Sequence, residues 1–207
     1  VTILLIIALA LIPLWIIATW LFGRMIRDWK PKPIDTLPFT WMDLDEQIAL
    51  GNVSDRTHPD DPTLHIYNYT AQAQYGRAWN PVTEACRGLI LQKSKIKARP
   101  FAKFYNLGEV EKIPDGDFVA YEKEDGSLGI GYMAPDGRPA IATRGSFASD
   151  QAIWATGFLR SNPKMEEFVR LLQGQGVTPL FEIIYPENRI VVNYGERRTL
   201  ILLAYID

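Results

Sequence analysis

From Leu64 onward the chain reads as a series of short strand-type runs broken by turn residues, and this narrows the open folds more than any other feature. Strands are expected near 64–69, 87–96, 118–123, 127–133, 139–143, 178–185, 189–193 and 199–205. Two later stretches have helical spacing instead. Residues 149–159 start at Ser149 or Asp150 as the N-cap, and residues 163–173 carry Pro163 in the first turn and end at Gly174. Strand runs interrupted by a helix pair predict an α+β fold with largely antiparallel sheets.

The first 23 residues follow another rule. They contain no charged side chain, and as a helix they would be about 34 Å long, against about 30 Å for a hydrocarbon core. Pro13 would kink such a helix without forbidding it. A transmembrane anchor over 1–23 is the expectation. A signal peptide fits less well, for want of a basic start and a small-residue cleavage site. A segment foreign to the rest of the chain is a third reading, because position 1 is not Met. Arg24, Arg27, Lys30 and Lys32 flank the run with only Asp28 against them, which puts the remainder in the cytoplasm if the run is an anchor. Residues 24–63 then read as a basic flank, a Pro-rich linker over 30–38, a short amphipathic helix over 40–50 and an acidic loop over 51–62. The folded domain is expected over 64–207.

A net charge of −2 argues against broad, non-specific nucleic-acid binding, so any RNA contact must come from a local patch. Arg87, Lys93, Lys95, Lys97, Arg99 and Lys103 fall in an acid-free stretch. The alternation at 93, 95, 97 and 99 would put four cations on one strand face, either solvated or tracking phosphates. Cys86 stands alone, which rules out an internal disulfide and suits a buried strand cysteine better than a nucleophile. His58 and His65 lack partners at metal-ligand spacing and read as loop and strand-edge residues.

Lys123 is the candidate for chemistry. It precedes Asp125-Gly126, which reads as the turn of a hairpin between 118–121 and 128–133. Lys-x-Asp-Gly alone is short enough to arise by accident, and a solvated lysine in a turn is the plain alternative. Other segments accompany it: Glu84-Ala85-Cys86-Arg87-Gly88-Leu89-Ile90, Arg99-Pro100-Phe101-Ala102-Lys103-Phe104-Tyr105-Asn106, Thr143-Arg144-Gly145-Ser146, Phe181-Glu182-Ile183-Ile184-Tyr185-Pro186-Glu187-Asn188-Arg189, and Leu200-Ile201-Leu202-Leu203-Ala204. In this order and at these intervals they resemble the adenylyltransferase domain of the ATP-dependent RNA ligase 1 family of T-even phages, over about residues 66–207.

The resemblance implies a nucleotidyltransferase fold, ATP and Mg2+ as cofactors, and RNA 5′-phosphate and 3′-hydroxyl ends, tRNA among them, as partners. It implies Lys123 as the nucleophile that forms lysyl–AMP. Arg87 and Lys103 would meet phosphates, Glu182 would lie near the ribose and the lysine, and Arg144 would add a further cation. Tyr105 and Phe181 are expected to pack, Asp125, Gly126 and Ser127 to shape the turn, and Arg189 to be mainly solvated. The family's Glu-Gly-x-Val segment and Lys-x-Lys pair do not follow Ala204 before the chain stops at Asp207. The expectation is therefore the front half of an active site, truncated at the C-terminus. A catalytically inactive, membrane-tethered nucleotide- or RNA-binding module and a different covalent nucleotidyltransferase are the alternatives.

Overall fold

Thr40 opens the first helix, α1 (Trp41–Ala49), with a reciprocal cap. Its hydroxyl accepts from the Asp43 N–H, and its own N–H donates to the Asp43 carboxylate at 2.7 Å. The computed structural model describes residues 36–106, 108–109 and 116–207. The apolar run 1–23 and its basic flank, expected as an anchor, lie outside the described residues. Among the described residues no helix is long and apolar enough to cross a membrane.

Pro33–Asp207 form one compact unit. Leu37, Phe39 and Leu44 pack against Val53, Tyr67, Leu89 and Leu91, so residues read from sequence as linker and preceding helix belong to the domain's core. Each fully buried Leu or Ile contributes about 2 kcal/mol by leaving water. The sheet beneath α1 is antiparallel in the order β1 (Val53–His58), β2 (Asp61–Tyr69), β3 (Arg87–Gln92), β4 (Lys95–Ala98). Strand β1 occupies the stretch expected as an acidic loop. It is an edge strand with exposed Asp55, Arg56 and Thr57, so it lacks the apolar alternation that marks a strand in sequence. Two short helices, α2 (Ala71–Gly76) and α3 (Pro81–Ala85), fill the link from β2 to β3 behind Thr70 and Asn80 caps.

Cys86 ends α3 rather than lying on a strand, but it is fully buried, and burial pushes its thiol up to about 12. The native protein should therefore resist a thiol reagent at pH 8 and take up one equivalent on unfolding in guanidinium. Rapid labelling of the native chain would contradict this packing. The acid-free stretch does not form one cationic strand face. Lys93 lies in the turn between β3 and β4 with φ 53°, so the expected run of four is broken at its first member.

The second sheet is also antiparallel, ordered β6 (Pro139–Thr143), β5 (Ser127–Met133), β7 (Thr178–Ile184), β8 (Thr199–Ile206). The expected helix pair forms as α4 (Asp150–Arg160), capped by Ser149, and α5 (Pro163–Gly174), capped by Asn162. Ala155, Leu159 and Val169 cover Ile141, Phe181, Ile183 and Leu200 on the sheet's outer face. The inner face joins the two sheets through Leu64, Ile66 and Ile90 on one side and Ile130, Tyr132, Ala142 and Leu180 on the other. His58 belongs to this interior rather than to a loop. Its Nδ1 accepts from the Asp60 N–H, its Nε2 lies 3.1 Å from the Tyr132 hydroxyl, and burial lowers its pKa.

Two expected strands are absent. Residues 118–123 form no strand because β5 already has β6 and β7 on its two edges, leaving no place for a hairpin partner. Residues 189–193 form none because the N–H groups of Val191 and Val192 donate to the Asp125 carboxylate instead of a ladder.

Candidate active site

At one end of the inter-sheet core the inward positions turn polar. On β2 the inner series Leu64, Ile66 is continued by Asn68; on β7 the series Thr178, Leu180 is continued by Glu182. A register shift between Tyr67 and Asn68 sets Asn68 opposite Arg87, and Arg144 follows directly after β6. These residues line a cavity of about 1160 Å3, which Lys123 also lines. Such a volume is large enough for a nucleotide.

Gly88 makes this end of the core possible. At φ 102° its backbone runs so close to the second sheet that a Cβ would lie 2.3 Å from Ile130 Cδ1 and 3.2 Å from the Arg144 backbone. Arg87 and Arg144 are thereby drawn to the same wall. The Arg144 guanidinium donates to the Tyr69 hydroxyl at 3.1 Å and lies 5.0 Å from that ring's centre. Arg87 lies 4.8 Å from the Phe104 ring centre, and its Nη1 is buried without a hydrogen-bond partner among the described residues. Asn68 Oδ1 is in the same condition. A donor and an acceptor left unsatisfied on one cavity wall suit a polar ligand.

Lys123 sits in an exposed, irregular segment, but the residues after it are tightly held. Asp125 accepts from Val191 and Val192 at 2.7 and 2.6 Å, and those two bonds hold its carboxyl below the usual range. The Tyr194 hydroxyl accepts from the Asp125 N–H and donates to Glu124. The Ser127 hydroxyl donates to Asn188, whose amide donates to the Ile183 carbonyl. The Asp-Gly-Ser sequence is thus a clamp onto the 186–194 segment rather than a hairpin turn. Gly126 completes it: its N–H donates to Glu182 Oε1 at 2.8 Å, and a Cβ there would lie 2.4 Å from the Ile183 carbonyl oxygen.

A sequence model of the RNA ligase family matches residues 85–207, more than half of the chain and the segments that supply Arg87, Lys123, Arg144 and Glu182. The chain belongs to the RNA ligase family. Over 134 residues, 61% of the chain and 35% of the relative, it is 34% identical to a protein of Thermovibrio ammonificans named "Putative RNA ligase". Over 150 residues, 60% of the chain and 22% of the relative, it is 31% identical to one of Autographa californica nuclear polyhedrosis virus named "Putative bifunctional polynucleotide kinase/RNA ligase". The chain thus matches about a third of the first relative's length and about a fifth of the second's.

Of the five site residues expected in this RNA ligase family member, Lys123, Arg87, Arg144 and Glu182 line the one cavity and Lys103 does not. The Lys103 amine lies 5.0 Å from the Trp79 ring centre and 4.4 Å from that of Tyr105, contacts the Phe104 carbonyl, and is 3.5 Å from Glu109. Tyr105 packs as expected and donates to Glu84. Phe181 is core, and Arg189 is exposed. Two cavity residues, Arg56 and Asn68, escaped the sequence reading: neither lies in a segment that carried the resemblance. Asn68 had a visible signal, a polar residue continuing the inward series of Leu64 and Ile66; Arg56 had none.

Burial raises the Glu182 carboxyl above its ordinary 4.5, against the Gly126 N–H and the Lys123 charge, which act the other way. A raised carboxyl pKa favours the folded state while the group is protonated, and this contribution is lost as pH rises through the folded value. Glu182→Gln keeps an acceptor for Gly126 and carries no charge. Its melting temperature should gain on the wild type's as pH goes from 4 to 8. A difference that stays constant, or that shifts in the wild type's favour as pH rises, would refute the buried-carboxylate reading.

Proposed function

We propose that the chain carries the nucleophile-bearing part of the nucleotide-transfer site of an ATP-dependent RNA ligase, on the nucleotidyltransferase fold that its two facing antiparallel sheets suit. The observation that carries this reading is the convergence of Lys123, Arg87, Arg144 and Glu182, from four separate segments, on one cavity. The neutral Lys123 amine attacks the α-phosphorus of ATP. A nitrogen–phosphorus bond forms, the α–β phosphoanhydride breaks, pyrophosphate leaves, and the amine gives up a proton. The AMP then passes to an RNA 5′-phosphate, and a 3′-hydroxyl displaces it as the phosphodiester forms.

Arg87 and Arg144 supply planar, multidentate donors for phosphate oxygens, and a half-buried wall strengthens both contacts relative to water. Glu182, oriented by Gly126, accepts ribose hydroxyls or holds the lysine during attack. Magnesium would suit the chemistry of the leaving group. Among the described residues, however, no group of three or more His, Cys, Asp or Glu side chains could hold a metal ion. The residues do not form a metal site by themselves, and no step here runs through one.

The test is transfer of label from α-³²P-ATP to the protein. The expected adduct is labile to acid, stable to base, reversed by pyrophosphate and maps to Lys123. Absence of label from a protein that also carries the Glu-Gly-x-Val and Lys-x-Lys segments the family uses, and that still binds ATP, would overturn the catalytic reading in favour of a nucleotide-binding module.

A further inference from the structure

Arg56 stands apart from the residues used above. It lies on the edge strand β1, ahead of the region that matches the RNA ligase family, and it lines the cavity from the first sheet. Its ladder partner is Ile66, an inter-sheet core residue, so the two share the face that looks toward the second sheet. Its neighbour Asp55 is on the opposite face by alternation and is engaged with His65 at 2.9 Å. Among the described residues the Arg56 side chain makes no hydrogen bond or ion pair, the nearby Asp55 carboxylate being turned to His65.

A second observation concerns Phe104. It is 58% exposed, lines the same cavity, and has the Arg87 guanidinium against its ring. An apolar ring left in water beside cations gains by covering a nucleobase, and bases stacked on rings with phosphates on cations are how single strands are held. Arg87 and Arg144, half-buried on the wall, answer to the nucleotide. Arg56 and Phe104, both exposed, answer to what arrives from solvent.

We propose that Arg56 and Phe104 dock the end of a single-stranded RNA at the cavity, Arg56 holding a phosphate and Phe104 stacking the adjacent base. This rests on the ligase reading for its choice of strand. Fluorescence anisotropy with 5′-phosphorylated and 5′-hydroxyl oligoribonucleotides over a range of salt tests it without requiring catalysis. Arg56→Gln should bind about tenfold more weakly at low salt, with the slope of log affinity against log salt flatter by about 0.7, the value for one phosphate contact on a single strand. Arg56→Lys should recover most of both. Phe104→Leu should lose about tenfold with its slope unchanged, as a stacking contact would.

Loss confined to the 5′-phosphorylated strand assigns the terminal phosphate, and equal loss for both strands assigns a backbone phosphodiester. A wild-type slope in Arg56→Gln overturns the proposal, as does weakened ATP binding with RNA binding intact. A protein that also carries the Glu-Gly-x-Val and Lys-x-Lys segments and takes no label from ATP, yet shows the Arg56-dependent slope, would retain the dock and lose the ligase reading.

Discussion

Replacing Lys123 with alanine is expected to lower AMP transfer to the protein by roughly four orders of magnitude or more, the scale on which covalent catalysts fail when the nucleophile is removed. Lys123→Arg should fail as badly. Its guanidinium stays protonated at any workable pH and has no electron pair to offer phosphorus. The loss should come without unfolding. Lys123 is exposed in an irregular segment, and the bonds that fix the segment belong to Glu124, Asp125 and Gly126. Melting temperatures within a degree or two of the wild type's should therefore accompany both variants. Label that survives in Lys123→Ala would remove the residue from the chemistry, and a large fall in melting temperature would show that the side chain packs after all.

The sequence disclosed the elements whose side chains alternate or cap in recognisable ways. The helix pair was visible because Ser149 and Pro163 mark its starts, and β5 to β8, apart from their ends, because short apolar runs bounded by turn residues mark strands of a covered sheet. That Lys123, Arg87, Arg144 and Glu182 share a cavity was foreshadowed only by the resemblance of their segments to a known family, since nothing in their composition or spacing joins them. Tertiary context hid the rest. Phe118, Val119 and Tyr121 have strand-type side chains, but both edges of β5 are occupied, and propensity cannot register that. Val191 and Val192 read as a strand until a carboxylate 66 residues away takes their N–H groups. Lys103 looked like a phosphate ligand by position, and only the fold reveals the aromatic rings around its amine.

Gly88→Ala should destabilise the protein by about 3 kcal/mol, the sum of two costs. At φ 102° any L side chain is strained, worth roughly 1–2 kcal/mol. The new methyl also meets Ile130 Cδ1 at 2.3 Å, and Ile130 is fully buried between the sheets. Overpacking of that kind costs about 1–3 kcal/mol. For a chain of this size the total corresponds to a fall of roughly 10 °C in melting temperature. Gly137 separates the two terms. Its φ is 74°, but nothing lies within 4 Å of where a Cβ would stand. Gly137→Ala should thus show the backbone cost alone, about half the loss or less. The close approach has a functional side as well, since the added methyl lies 3.2 Å from the Arg144 Cα and carbonyl. Whatever fraction of Gly88→Ala stays folded should bind ATP more weakly, because relief of the clash moves Arg144 away from the wall it shares with Arg87. Equal losses in the two glycine variants would show that the sheets can part there at no cost, and that the pairing of Arg87 with Gly88 is not what brings the two arginines together.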